Sequence, residues 1–236
     1  MLDDAEFPGF CADWPAPVWV HTWSTERALD VGGQGAGLSD AARANRSRIG
    51  ARLGVRILWL DQVHGNRVNI EDCNGDADAV VSRSGGVACA IRTADCLPVL
   101  FCHRQARVVA AAHAGWKGLV EGILEATVET MKVDPAGVLA WLGPAIGPTA
   151  FEVGPEVRDR FLTRDVRDAV AFQPGLGDRW LADIYQLARL RLARAGVSVV
   201  YGGGLCTVTD ARRFYSWRRD GSGAGRMAHL IWIGEE

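Results

Sequence analysis

Three short stretches of this 236-residue chain each set a metal-type side chain at the end of an apolar run: Gln62-Val63-His64-Gly65, Thr93-Ala94-Asp95-Cys96 and Ala112-His113-Ala114-Gly115-Trp116. Two imidazoles and a thiolate make a three-ligand set. Zinc held by three protein groups keeps a fourth position for water or substrate, whereas structural zinc closes its shell with four. The pattern is that of an enzyme. Each residue taken alone also has a plain structural use, histidine as a hydrogen-bond partner and cysteine as a small buried apolar group. Spacing does not establish that the three meet.

Bringing them together falls to the elements around them. Apolar runs separated by glycine-bearing connectors predict strands over 57–60, 67–70, 79–82, 87–92, 97–102 and 108–113. All three candidate ligands then lie where strands give way to turns. Upstream, the pattern predicts a strand over 17–23, a glycine-rich loop over 32–37, and a helix over 39–53 with Ser39 as its N-cap. Downstream, Leu119, Ile123, Val128 and Met131 recur at helical intervals and predict a helix over 118–131. A strand at 138–142 follows, then helices at 155–162 and 180–195, with Gly196 at the C-cap of the latter, and strands at 197–201, 213–217 and 227–233. Strands outnumber helices, and several connections are too short for parallel crossovers. The expected class is α+β, with mixed, largely antiparallel sheet layers covered by helices and a single domain over 1–236.

The composition, 48% hydrophobic and 23% charged, is that of a globular protein able to bury a substantial core. A net charge of -2 gives no general pull toward nucleic acid or an anionic membrane, and neither is expected as a partner. Arg43, Arg46, Arg48 and Arg52 cluster at near-helical spacing, but Ile49 and Leu53 give that segment an ordinary amphipathic helix with a solvated face. No apolar run is long enough to span a bilayer. Asp3, Asp4 and Glu6 stand where a secretory signal carries positive charge, and the six cysteines show no framework spacing. A cytoplasmic monomer is expected.

Five motifs carry a resemblance: Q-V-H-G at 62–65, T-A-D-C-L-P-V-L at 93–100, H-A-G-W-K-G at 113–118, G-P-A-I-G at 143–147 and F-E-V-G at 151–154. Leu205-Cys206-Thr207, Phe214-Tyr215-Ser216-Trp217-Arg218-Arg219 and Gly225-Arg226-Met227 continue it in order. Together they resemble the YfiH-like family, also called the laccase-domain or multicopper polyphenol oxidase-like family, over nearly the whole chain. The resemblance implies that His64, Cys96 and His113 bind zinc. Three places depart from the family pattern. The entry loop, usually S-T-R-x-G-G, is Ser24-Thr25-Glu26-Arg27 running into Ala28; the usual arginine after H-A-G-W is Lys117; and the cysteine pair before the E-V-G motif is Thr149-Ala150. Lys117 keeps the charge but loses the planar bidentate fork of arginine.

Ligand counting tests the oxidase name. A multicopper set needs roughly ten imidazoles beside its cysteine, and the chain has five histidines: His21, His64, His103, His113 and His229. Copper is then at most an adventitious occupant of the His/Cys/His set. The resemblance implies purine nucleoside phosphorolysis instead, of adenosine, inosine and methylthioadenosine with phosphate, together with adenosine deamination in the same pocket. Zinc suits the second reaction by activating water for attack on adenine. Asp95, beside Cys96, is the candidate for moving protons, with orientation of a ligand or capping of a turn as its alternative. Phosphate calls for cations, and Lys117, Arg46, Arg92 and Arg218 lie in or beside the motifs. The aromatic set at 214–217 suits a purine ring or a core strand, and the 143–147 turn reads as structural. His21 could line the site, His103 reads as part of a solvated turn, and Cys89, Cys102 and Cys206 read as packing residues. Two other readings stand beside this one: a metal-free cysteine hydrolase with Cys96 as nucleophile and His113 as base, and a binding or editing protein for cell-wall precursors, to which members of the family are linked.

Overall fold

Strands buried on both faces form the centre of the molecule, which is why their sequences read as continuous apolar runs and not as alternating ones. The structure is a computed structural model and describes residues 7–33 and 38–234. The acidic residues Asp3, Asp4 and Glu6, and 34–37 of the glycine-rich stretch, lie outside the described residues.

In chain order the elements begin with β1 (Gly9–Phe10), β2 (Val20–Thr25), α1 (Asp40–Leu53), β3 (Arg56–Trp59), β4 (Val68–Ile70), β5 (Ala79–Ser82), β6 (Val87–Thr93), β7 (Leu97–His103) and β8 (Val109–Ala114). They continue with α2 (Trp116–Glu121), α3 (Ile123–Thr130), β9 (Val138–Leu142), β10 (Glu152–Val153), α4 (Pro155–Arg164), β11 (Phe172–Pro174) and β12 (Trp180–Ala182). The last are α5 (Ile184–Arg194), β13 (Val199–Gly202), α6 (Trp217–Asp220) and β14 (Met227–Ile233). One sheet runs β1-β2-β14-β6-β3, a second β13-β9-β7-β8-β5-β4, and a small third β10-β12-β11. Most neighbours are antiparallel; β3 with β6, β4 with β5 and β9 with β13 are parallel. The class is α+β with mixed sheets, as expected.

The two large sheets pack face to face. Cys89, Ile91 and Ile231 from the first meet Val80, Leu100, Val109 and Trp141 from the second in one buried cluster. The opposite face of the second sheet, through Val99, Phe101, Ala110 and Ala112, buries Leu119, Ile123 and Val128 of α2 and α3 and Leu187 and Leu192 of α5. Beyond the first sheet, Trp23, Ala90 and Leu230 cover Ile49 of α1. Ser39 does cap α1, accepting from the Ala42 amide. No helix of the described residues is long and apolar enough to cross a membrane.

Three expectations are corrected. The helix expected over 118–131 starts at Trp116 and divides into α2 and α3, because Gly122 takes φ 89° and ends the first segment. Helical periodicity is blind to a break that keeps both halves on one face. The helix expected over 180–195 is a strand, β12, followed by α5, whose N-cap Asp183 accepts from the Gln186 amide. The strand expected at 213–217 is a turn leading into α6, capped by Ser216, whose hydroxyl accepts from the Arg219 amide. His103 is also not solvated: it is 9% exposed, and its Nδ1 accepts from the amides of Gln105 and Ala106, closing the β7–β8 turn.

His229 lies in the middle of β14, fully buried, with Nδ1 against Ser24 Oγ and Nε2 against Thr93 Oγ1, both at 2.9 Å. Burial pushes its pKa down to about 3, against about 6.5 for a free imidazole. Unfolded chains therefore take up a proton that the folded protein refuses, so this histidine's contribution is complete above about pH 6.5 and fades as pH falls toward 3. Urea midpoints measured from pH 7 to pH 4 are expected to fall more steeply for the wild type than for His229→Gln; parallel slopes would refute the assignment.

Candidate metal centre and its cavity

Strand register joins two of the three candidate ligands. Strands β7 and β8 are antiparallel with Pro98 opposite His113 and Leu97 opposite Ala114, so Cys96, one residue before β7, lies beside His113 near the end of β8. His64 comes from the loop between β3 and β4 and takes a left-handed backbone, φ 63°. The donor atoms of His64, Cys96 and His113 lie within 4.8 Å of one another. His64 Nε2 is 3.8 Å from Cys96 Sγ, close to the ~3.6 Å that two tetrahedral ligands at ordinary zinc–nitrogen and zinc–sulfur bond lengths would adopt. Two imidazoles and a thiolate on this spacing could hold a tetrahedral ion and leave its fourth position open. Gly115 leaves room for this packing, since a Cβ there would crowd the cluster at 3.0 Å from His64 Cδ2 and 3.1 Å from Cys96 Sγ.

Asp78 organises the cluster, and sequence reading passed over it. It is fully buried immediately before β5, and its backbone carbonyl accepts from the His113 amide at 2.7 Å. Oδ1 accepts from His113 Nδ1 at 2.7 Å and from the His64 amide at 2.9 Å. Oδ2 accepts from the amides of Gly65, at 2.7 Å, and Val63, at 3.2 Å. Burial opposes this charge, yet the His113 contact and the backbone amides hold the carboxyl below its usual range. With Nδ1 tied to Asp78, His113 presents Nε2 to the cluster, the arrangement by which a carboxylate fixes a metal-ligating histidine. The signal available was an aspartate set between alanines, Ala77-Asp78-Ala79, at the mouth of an apolar strand, where an unpartnered charge would be prohibitive.

Cys96 and His113 ionise as a pair. Burial raises the thiol, but the charge of His113 and hydrogen bonds from both imidazoles outweigh it and bring Cys96 down to about 6. Burial lowers His113, and the thiolate and Asp78 overcome this to push it up to about 9. A divalent cation entering the cluster would meet a thiolate already formed and displace the His113 proton.

The cluster opens into a cavity of about 590 Å³. Thr93, Ala94 and Asp95 form one wall, Ile146, Phe151 and Ile184 give it apolar surface, and Trp116 and Trp217 add aromatic rings. Arg92, Arg218 and Arg226 also line it. Arg92 donates to the carbonyls of Leu60, at 2.7 Å, Gly32 and Gly33, and burial, with Arg46 nearby, lowers it to about 10. Arg218 donates to the carbonyls of Ala150 and Glu152. Arg226, absent from the sequence-based site, donates to the carbonyls of Ala224 and Gly225 and lies 5.4 Å from the Trp217 ring centre.

Other candidates fall elsewhere. Lys117 is exposed outside the cavity, its ammonium 5.8 Å from the Trp116 ring centre. Arg46 lies behind the wall, over Trp59 at 4.7 Å, with Nε on the Val31 carbonyl. His21 does not line the cavity; it stacks on Trp232 across the β2–β14 pair. Phe214 is core and Trp217 half exposed, so the aromatic set at 214–217 divides between both of its readings. Cys89 and Cys102 are buried, and Cys206 is partly exposed with the Gly147 amide on its sulfur. The amides of Ala145 and Ile146 are spent on Tyr185 Oη and the Asp95 carbonyl, which makes the 143–147 turn structural. Among the described residues no other group of three His, Cys, Asp or Glu side chains converges as a metal set.

Removing the charge of Asp78 while keeping its shape should loosen both histidines. Asp78→Asn is expected to weaken zinc binding ten- to a hundredfold in a chelator competition, on the order of other losses of such supporting carboxylates; unchanged affinity would show that the strands alone set the cluster.

The description of a family model, multi-copper polyphenol oxidoreductase laccase, matches residues 24–234. A Pseudomonas aeruginosa protein named purine nucleoside phosphorylase is 50% identical, over 94% of this chain and 96% of its own length. The Escherichia coli K12 protein named purine nucleoside phosphorylase YfiH is 46% identical, over 93% and 96%. A crystal structure of a Neisseria meningitidis protein superposes with a TM-score of 0.91 at 46% identity, over 96% of this chain and 99% of that one. The family model spans most of the chain and the relatives align over most of both lengths, so the chain belongs to the multi-copper polyphenol oxidoreductase laccase family, which includes the YfiH proteins.

Proposed function

We propose that this chain is a zinc-dependent purine nucleoside phosphorylase, with residues 1–236 acting as one catalytic domain. The observation that carries the reading is the opening of the His64/Cys96/His113 cluster directly into a cavity that combines aromatic rings with three arginines. Relatives at 46–50% identity bearing the phosphorylase name support it. The five histidines argue against copper chemistry of the laccase kind: only His64 and His113 belong to the cluster, and His21, His103 and His229 are each engaged elsewhere. Two do not make a copper cluster.

In phosphorolysis a phosphate oxygen forms a bond to C1′ of the sugar as the bond from C1′ to the purine nitrogen breaks; the base leaves with the electron pair and is protonated from solvent. The sugar carries positive charge at the transition state, so the protein must hold an anion beside it and a planar base away from it. Arg218 and Arg226, which line the cavity, would bind phosphate, with Arg92 as the third cation of the wall. Their docking on backbone carbonyls fixes each guanidinium before substrate arrives, which reduces the ordering cost of binding. Trp217, Phe151 and Ile146 suit the faces of a purine. His64, Cys96 and His113 would hold the zinc, and a bound zinc supplies a Lewis acid at the cavity wall. Adenosine deamination, in which water adds at C6 of the adenine and ammonia leaves, would draw on the same Lewis acid. Adenosine, inosine and methylthioadenosine are the substrates, and six cysteines without a disulfide fit a reducing, cytoplasmic setting.

A second reading has one observation in its favour. Cys96, His113 and Asp78 form a thiolate, imidazole and carboxylate series, which is also how a cysteine nucleophile is armed.

Purified protein incubated with inosine and phosphate is expected to release hypoxanthine, retain about one zinc per chain, and lose about a hundredfold or more in rate on His64→Ala. Zinc-replete protein that forms no hypoxanthine would overturn the phosphorylase reading. Full activity after complete chelation would favour the thiol-based one.

A further inference from the structure

Asp95 adopts a left-handed backbone, φ 87°, between Ala94 and the candidate ligand Cys96. Aspartate tolerates this conformation better than most side chains, and it is worth explaining wherever it occurs outside glycine. Here the carboxylate reaches two other segments and the backbone carbonyl a third. Oδ1 accepts from Thr207 Oγ1 at 2.5 Å. Oδ2 accepts from Ser216 Oγ at 3.1 Å and from the Arg218 amide at 2.6 Å. The backbone carbonyl accepts from the Ile146 amide at 2.9 Å. Segments at 143–147, 205–207 and 216–218 are thereby tied to the residue beside Cys96.

The segment at 216–218 carries the rim of the cavity. Ser216 both caps α6 and donates to Asp95. Trp217 follows it, 51% exposed and lining the cavity, with Arg226 against its ring. An indole so exposed on a four-residue helix has little core to hold it; its position depends on the anchor of that helix. Three protein donors already occupy the oxygens of Asp95, which is how a strut is built and not how a shuttling acid is presented.

We propose that Asp95 is a positioning residue that holds α6 at a fixed distance from Cys96, and that Trp217, set by this strut, is the stacking wall for the substrate's planar base. The second half rests on the nucleoside reading above; the first does not. An indole face accepts any purine, so the wall governs affinity for the base more than the rate of bond breaking.

The variants are Asp95→Asn, Asp95→Ala, the double variant Thr207→Val with Ser216→Ala, Trp217→Ala and Trp217→Phe, each assayed for zinc content, inosine phosphorolysis and amide hydrogen exchange over 216–220. The strut predicts faster exchange over 216–220, by about tenfold, and a KM for inosine raised about tenfold in both Asp95→Ala and the double variant, with zinc retained and kcat within about threefold. Asp95→Asn, whose amide can still join Thr207 to Ser216 and Arg218, should rescue most of the loss. Trp217→Ala should raise KM about tenfold without changing exchange at 143–147, and Trp217→Phe should restore it. A hundredfold fall in kcat for Asp95→Asn, with the double variant behaving as wild type, would overturn the proposal in favour of proton transfer. Unchanged exchange in the double variant would overturn the strut even if Asp95→Ala fails to fold. If the wild type does not act on inosine while exchange responds as stated, the nucleoside reading and the stacking wall fall and the strut stands.

Discussion

One buried carboxylate sets the geometry on which the rest of the centre depends. Asp78 sits with no exposure before β5, and its side chain collects an imidazole and three consecutive backbone amides from the 63–65 turn. Burying an ion is expensive unless its lone pairs are met by donors. Meeting those of Asp78 forces the His64 loop to curl around it in a left-handed conformation and points His113 toward Cys96. The metal-type cluster is in this sense the outer surface of a satisfied buried charge.

A second aspartate does a related job on the other side of Cys96. Where Asp78 gathers the two histidines, Asp95 gathers the segments that form the far wall of the cavity. The two carboxylates stand in different sheets' territory: Asp78 leads into β5 of the six-stranded sheet, and Asp95 lies in the connection that leaves β6 of the five-stranded sheet and enters β7. The centre thus forms where the chain crosses between two packed sheets, and the rigid strands on either side leave the turns little freedom. Sites on such supports hold their geometry better than sites on long loops.

Charge in the cavity is arranged unevenly. One side holds the thiolate of Cys96 beside His113, and the rim holds Arg92, Arg218 and Arg226, each bound to backbone carbonyls. Carbonyls orient a guanidinium without cancelling its charge, as a carboxylate would. Some arginines away from the cavity are instead paired with acids, as Arg194 with Asp168 and Arg213 with Glu26. An anion entering the cavity therefore meets oriented cations at its rim.

The order of residues alone determined the strands at 79–82, 138–142 and 227–233, the α+β class, and the identity of His64, Cys96 and His113 as metal-type ligands, because apolar runs and donor chemistry are local properties. It also limited copper chemistry, since a count of histidines needs no fold. What only the tertiary structure decided was contact. The meeting of Cys96 with His113 depends on antiparallel register between β7 and β8, and that of His64 with both on Asp78, fourteen residues further along the chain. Lys117, one residue past the Trp116 that lines the cavity, points outside it, whereas Arg226, more than a hundred residues beyond, lines it. Local pattern misread 180–182 and 213–217 for the same reason: a capping Asp183 or Ser216 redirects the chain through a single hydrogen bond that no periodicity records. Sequence specifies which side chains can do the chemistry; packing and buried hydrogen bonds specify which of them share a cavity.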